Sequence, residues 1–193
     1  RGEFLSAADG EQVLKLAAKE EFEYAEVDEL GTVVEKDYTP YHIDQVLALK
    51  LVNRDAIAQA DLKIVVDAVN SVGGVVIPAL LRALGVKEII ELNCEPTGHF
   101  AHNPEPIPEN LTQIAAKMKE SRADLGIVVD PDVDRLALIS ENGEMFGEEY
   151  TLVAVADYVL KHTPGNTVSN LSSSRALKDV TEAYGQQYHA AAV

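Results

Sequence analysis

The sequence predicts an α/β protein: βαβ units around a mainly parallel mixed sheet, with an incomplete second α/β unit at the C-terminus. Three observations carry this. Short runs rich in β-branched and apolar residues, Lys63-Ile-Val-Val-Asp67, Glu88-Ile-Ile-Glu-Leu92 and Leu125-Gly-Ile-Val-Val129, alternate with helical stretches, the pattern that builds βαβ crossovers. The run 125–129 is apolar throughout, as expected for a strand covered on both faces. After Gly147 the alternation resumes and then stops after two further strands, too few to close a core.

Each element has its own signal. Ser6 is an N-cap with Asp9 three residues on, which opens a helix over 6–20 carrying Val13, Leu14 and Ala17 on one face. Residues 21–38 are acidic with scattered Val and Tyr, and read as irregular or weak strand. Pro40 opens a second helix, roughly 41–51, with Ile43, Val46, Leu47 and Leu49, and a short helix over 53–60 follows. Strand 63–67 leads to a helix over 75–84, in which Pro78 belongs near the first turn. Gly85 ends that helix in the left-handed conformation. Strand 88–92 precedes a proline-rich loop over 93–108. Leu111, Ile114, Ala115 and Met118 mark the next helix by their i, i+3, i+4 stripe. Strand 136–140 follows strand 125–129, and Glu141-Asn142-Gly143 supplies a hairpin turn. Helix 149–161, strand 167–171, helix 174–184 and strand 188–193 complete the chain, the last reading as buried. No internal repeat or low-complexity segment is evident.

Composition narrows the function. The 193 residues include 47% hydrophobic and 25% charged ones, an ordinary globular balance that allows a sizeable core. Acidic residues outnumber basic ones 32 to 16, for a net charge of -16. That disfavours nucleic acid, which needs Lys and Arg against its phosphates, and docking on an anionic membrane. No apolar run approaches the length of a membrane span. The lone cysteine, Cys94, allows no intrachain disulfide and fits a reducing, cytoplasmic setting. The chain begins Arg-Gly-Glu-Phe and ends in a strand-like run, so a piece of a longer protein is expected.

The chemistry concentrates where strand 125–129 ends. Asp130, Asp132 and Asp134 follow at alternate positions, then Arg135. In an extended segment alternate side chains project to the same side, so the carboxylates converge on one point. They repel one another unless a cation sits among them, and carboxylate oxygens are the ligands that Mg²⁺ and Ca²⁺ prefer. The bland reading is a solvated acidic turn. An EF-hand loop would use the same aspartates with Glu141 at its twelfth position, but Arg135 stands where that loop turns on glycine. A haloacid-dehalogenase-type phosphatase, with Asp130 as nucleophile, opens with two aspartates one residue apart but does not usually place an Asp at 134. A non-catalytic divalent-cation module also stays open. Arg135 suits phosphate recognition, or an ion pair that organises the loop.

Weaker candidates lie elsewhere. Cys94, His99 and His102 complete no tetrahedral metal set and read as a buried thiol and loop histidines. Asp67 and Asn70 beside Gly73-Gly74 suit a phosphate-binding turn or simply a tight strand–helix turn.

Asp130-Pro-Asp-Val-Asp-Arg135 resembles the metal-binding loop of the α-D-phosphohexomutases, the phosphoglucomutase/phosphomannomutase family. Lys63–Gly74 resembles the strand–turn opening that family's second domain, Glu95–Pro106 its loop before the next helix, and Ala123–Val129 the strand feeding the metal loop. The resemblance implies a Mg²⁺ site formed by Asp130, Asp132 and Asp134, with Arg135 contacting the phosphate or the intermediate. It implies a mutase that interconverts hexose 1- and 6-phosphates through an enzyme phosphoserine and a hexose bisphosphate. It divides the chain into the tail of the phosphoserine domain (1–37), the metal-loop domain (38–146) and the start of the sugar-binding domain (147–193). In the family the stretch near Ser172 borders the substrate, so Arg175 is a substrate-binding candidate as well as a surface or capping residue. No serine here lies in the family's Ser-His-Asn-Pro context. The nucleophile, and the remaining partner domains, are therefore expected outside these residues.

Overall fold

A computed structural model describes residues 4–192 of the chain, which falls into two units, Arg1–Asp37 and Tyr38–Val193. In the first unit the predicted helix forms as α1 (Ala7–Lys19), with Ser6 Oγ accepting the Asp9 N–H at 3.2 Å. Its apolar face is not covered: Val13, Leu14 and Leu16 are exposed, and no residue of α1 is buried. Residues 21–37 form no strand, only a 3₁₀ turn at Val27–Glu29.

The second unit opens with α2 (Thr39–Leu47) and α3 (Arg54–Gln59). Helix α2 stops four residues before the predicted end. There Leu49 N–H turns back to Val46 O, and Asn53 caps the next helix by accepting the Ala56 N–H at 3.0 Å. Then follow β1 (Lys63–Asp67), α4 (Gly73–Ala83), β2 (Glu88–Leu92), α5 (Thr112–Ser121), β3 (Leu125–Val129) and β4 (Leu136–Ser140). Helix α4 begins two residues earlier than predicted, so Pro78 lies inside it. Its first turn is tight, with Gly74 N–H on Ser71 O and Val75 N–H on Val72 O. Gly85 ends it at φ 94, with Val86 N–H returning to Leu81 O at 3.0 Å, a Schellman closure.

The sheet order is β2-β1-β3-β4. Strand β1 pairs in parallel with β2 and β3, and β4 runs antiparallel to β3. The sheet is thus mixed and mainly parallel. Alternation along the strands feeds two cores. Ile64 and Val66 face one side with Leu81 of α4 and Val86. Val65 and Val128 face the other with Ile114 and Met118 of α5. Val65, Val66, Ile114 and Met118 are fully buried, each contributing about 1.5–3 kcal/mol of apolar burial. The chain leaves β1 through α4 to one neighbour, β2, and returns through α5 to the other, β3. The two helices cover opposite faces. This reversal places a switch point between the carboxyl ends of β1 and β3, where open α/β sheets bind ligands.

Beyond the Asn142-Gly143 turn, α6 (Glu148–His162), β5 (Thr167–Asn170), α7 (Ala176–Ala183) and β6 (Tyr188–Ala191) follow, with β5 and β6 parallel. Strand β6 is exposed over His189–Ala191, contrary to the buried strand its sequence suggests. A two-stranded sheet has little to lay over it among the described residues.

Candidate metal and phosphate site

Both chains of residues that meet at the switch point are tightly held. After β3, Asp130 is 8% exposed and its Oδ1 accepts the Arg135 backbone N–H at 3.0 Å. The Val133 N–H bonds Asp130 O at 3.2 Å, closing a turn that forces Val133 to φ 63. A β-branched residue in the left-handed region is strained, and strain of this kind gathers at functional loops. The turn brings one ligand oxygen of each of Asp130, Asp132 and Asp134 within 4.8 Å of the others. The expected convergence of the three carboxylates therefore occurs.

The three carboxylates act on one another. Burial pushes the Asp130 carboxyl pKa up, but the Arg135 N–H and the side chains of Asp132 and Asp134 outweigh it, so the net direction is down. Asp134 moves the other way, raised by the charge of Asp132, by desolvation and by the charge of Asp130. Like charges this close separate in this fashion. An oxygen-only set carrying about three negative charges fits a hard divalent cation. It suits zinc less well, since protein zinc sites are built mainly on nitrogen and sulfur.

Arg135 lies on the rim, its side chain 53% exposed. Its Nη1 donates to Glu105 Oε1, and its Nε lies 4.0 Å from Asp134 Oδ1. Glu105 pushes the already high guanidinium pKa further up, so the charge is permanent. Sequence reasoning missed Glu105. It lies 30 residues before its partner, and the family resemblance of Glu95–Pro106 marked the segment without giving the glutamate a role.

A second missed feature lies under the same edge. Asp67, at the end of β1, is fully buried. Its Oδ1 accepts from the Val69 N–H at 3.1 Å and from Asn93 Nδ2 at 3.2 Å, and its Oδ2 faces His102 Nε2 at 3.1 Å. His102 Nδ1 lies 2.8 Å from Asn103 O. Both ring nitrogens thus lie within hydrogen-bond distance of an oxygen. His102 is therefore not a free loop histidine. With its side chain 15% exposed, it anchors the 93–108 loop to the sheet.

The glycine pair serves packing rather than anion binding. A Cβ on Gly74 would lie 2.0 Å from Cys94 O, and one on Gly73 would lie 2.5 Å from Val129 Cγ2. The Gly74 N–H is engaged by Ser71 O. Val69 and Asn70, at φ 49 and 57, complete this cramped turn, and Asn70 N–H bonds Asn93 O at 2.6 Å. Cys94 Sγ lies 3.3 Å from Leu92 O. Arg175 stands at the N-cap position of α7 without a side-chain capping bond, and its Nε lies 3.7 Å from Asp179 Oδ1 of the same helix.

A strand enters the aspartate loop and an antiparallel strand leaves it, so the helices that flank an EF-hand loop are missing. The molecule is thus defined as an α/β/α protein bearing an acidic triad and an arginine on the ligand edge of its sheet. A family model described as phosphoglucomutase/phosphomannomutase, alpha/beta/alpha domain II, matches residues 40–143. The chain belongs to the phosphoglucomutase/phosphomannomutase family.

Among its relatives, the phosphoglucomutase/phosphomannomutase of Thermococcus kodakarensis is 35% identical over 175 residues, covering 90% of this chain and 38% of the relative. The probable phosphoglucosamine mutase of Methanopyrus kandleri is 34% identical, covering 86% of this chain and 36% of the relative. A phosphoglucomutase/phosphomannomutase family protein from Burkholderia thailandensis superposes with a TM-score of 0.77 at 26% identity, over 98% of this chain and 40% of that one. The chain spans little more than a third of the length of these curated relatives.

Proposed function

We propose that these residues form the metal-holding part of a phosphohexomutase, a protein that interconverts hexose 1-phosphates and 6-phosphates. The observation that carries this reading is the aspartate triad with Arg135 beside it, at the switch point of a domain II sheet. Asp130, Asp132 and Asp134 hold Mg²⁺, which supplies charge neutralisation for a phosphoryl group. Arg135 presents its fork to the same phosphoryl oxygens. The phosphoryl group moves from a serine on another part of the protein to the free hydroxyl of the hexose phosphate. The resulting bisphosphate then returns its other phosphoryl group to the serine. Residues 1–37, 38–146 and 147–193 contribute to three successive domains.

Titration calorimetry tests the site. Mg²⁺ should bind to the chain and fail to bind once Asp130 and Asp132 are changed to Asn. Tight Ca²⁺ binding with indifference to sugar phosphates favours a plain cation module. Beryllofluoride, an aspartyl-phosphate mimic, should not attach to Asp130, whereas attachment favours a phosphatase. The 193 residues alone should not turn over glucose 1-phosphate, and detectable turnover refutes the reading.

A further inference from the structure

Arg135 is a long side chain on an exposed rim, and its aim is not set by burial. A free arginine there retains many rotamers, which any ligand must order on binding. Glu105 provides what the rim lacks. It sits between Pro104 and Pro106, whose rings fix their own backbone angles, and Pro106 is buried. Its carbonyl accepts from Asn110 Nδ2 at 2.8 Å and from the Ile107 N–H at 2.9 Å. Its own N–H donates to Asn103 Oδ1 at 3.2 Å. Three residues before it, His102 ties the loop to the buried Asp67. Glu105 is therefore a carboxylate on a rigid post, bonded to one end of the guanidinium. At its other end, Arg135 is joined to the triad through its backbone N–H on Asp130 Oδ1.

Electrostatics alone argues against a carboxylate here. Three aspartates already crowd the loop, and a fourth negative charge works against holding an anion. We propose that Glu105 is a positioning residue that aims the Arg135 guanidinium at the place beside the triad where a phosphoryl group binds. This rests on the reading of Arg135 as the phosphate contact.

The two views predict opposite signs. The test uses the 193-residue chain saturated with Mg²⁺, with inorganic phosphate as probe and the Arg135 Nε resonance as reporter. Glu105→Ala should weaken phosphate binding by about 3- to 10-fold, part of the ordering cost of a free arginine, and sharpen the Nε signal toward that of a mobile side chain. Glu105→Gln, which keeps an acceptor without the charge, should fall between wild type and Glu105→Ala. In an Arg135→Lys background the Glu105 substitution should add no further loss. Equal or tighter phosphate binding in Glu105→Ala overturns the proposal, as does an undiminished loss in the Arg135→Lys background. If the wild type binds Mg²⁺ but no phosphate, the reading of the site falls. The positioning role is then decided by the Nε signal alone, and equal Arg135 mobility in wild type and Glu105→Ala overturns it.

Discussion

Replacing His102 by leucine removes the partner of a carboxylate that cannot reach water. Asp67 is fully buried, and its Oδ2 is held by His102 Nε2 at 3.1 Å. Removing one partner of a buried polar group costs about 1–3 kcal/mol, and more where the group is charged. Asp67 Oδ1 keeps the Val69 N–H and Asn93 Nδ2, so the loss falls on the fully buried Oδ2 alone, and the expected cost is about 3 kcal/mol. With a urea m-value of about 2–3 kcal/mol/M, the midpoint should fall by about 1–1.5 M. The chain has no Trp and 7 Tyr, so far-UV circular dichroism is the suitable probe. Adding Asp67→Asn to His102→Leu removes the stranded carboxyl group and should recover about 1–2 kcal/mol. His102→Gln, whose amide can donate to Oδ2, should lie between wild type and His102→Leu. A midpoint shift below about 0.3 M, or a double variant no more stable than the single one, would refute the assignment of His102 as the anchor.

Three further outcomes follow from the same edge of the sheet. Gly74→Ala improves helix propensity by about 1 kcal/mol but sets a Cβ 2.0 Å from the Cys94 backbone oxygen; the net result should be a loss of about 2 kcal/mol or more, and a melting temperature equal to wild type refutes the close approach. Asp132→Asn should raise the melting temperature of the metal-free chain, because the charge of Asp132 is the leading cause of the raised Asp134 pKa. In millimolar Mg²⁺ the order should reverse, and a gain that persists with Mg²⁺ argues against the triad as its ligand set. Cys94 is pushed from 9.0 to about 11, chiefly by burial and then by the charges of Glu91 and Asp67. A raised pKa stabilises the fold fully below 9.0, and that contribution is lost as pH rises through about 11. At pH 8 only about one thiol in a thousand is ionised. Its reaction with dithionitrobenzoate should then climb about tenfold per pH unit from 8 to 10, and a rate that levels off near pH 9 refutes the shift.

How far the sequence carries varies with the range of the interaction. Strands β1, β2, β3 and β4 lie where their apolar runs predict, because period and turn chemistry are local and Gly85 and Asn142-Gly143 mark their own conformations. Asp130, Asp132 and Asp134 were legible for the same reason: three like charges at alternate positions after a buried strand form a local pattern. What the sequence could not show is pairing at a distance. His102 looked like a loop histidine and Asp67 like part of a turn, because the 35 residues between them carry no sign that they meet. Glu105 and Arg135 meet only because the β1–β3 switch point brings the 93–108 loop over the aspartate loop. The earlier start of α4 likewise reflects tertiary contact, with Gly73 and Gly74 fitting against Val129 and Cys94. By itself, then, the sequence determined the α/β alternation and the cluster of charge. The tertiary structure decided which groups hold that cluster in place, since burial and partnership depend on which loops the sheet order brings together.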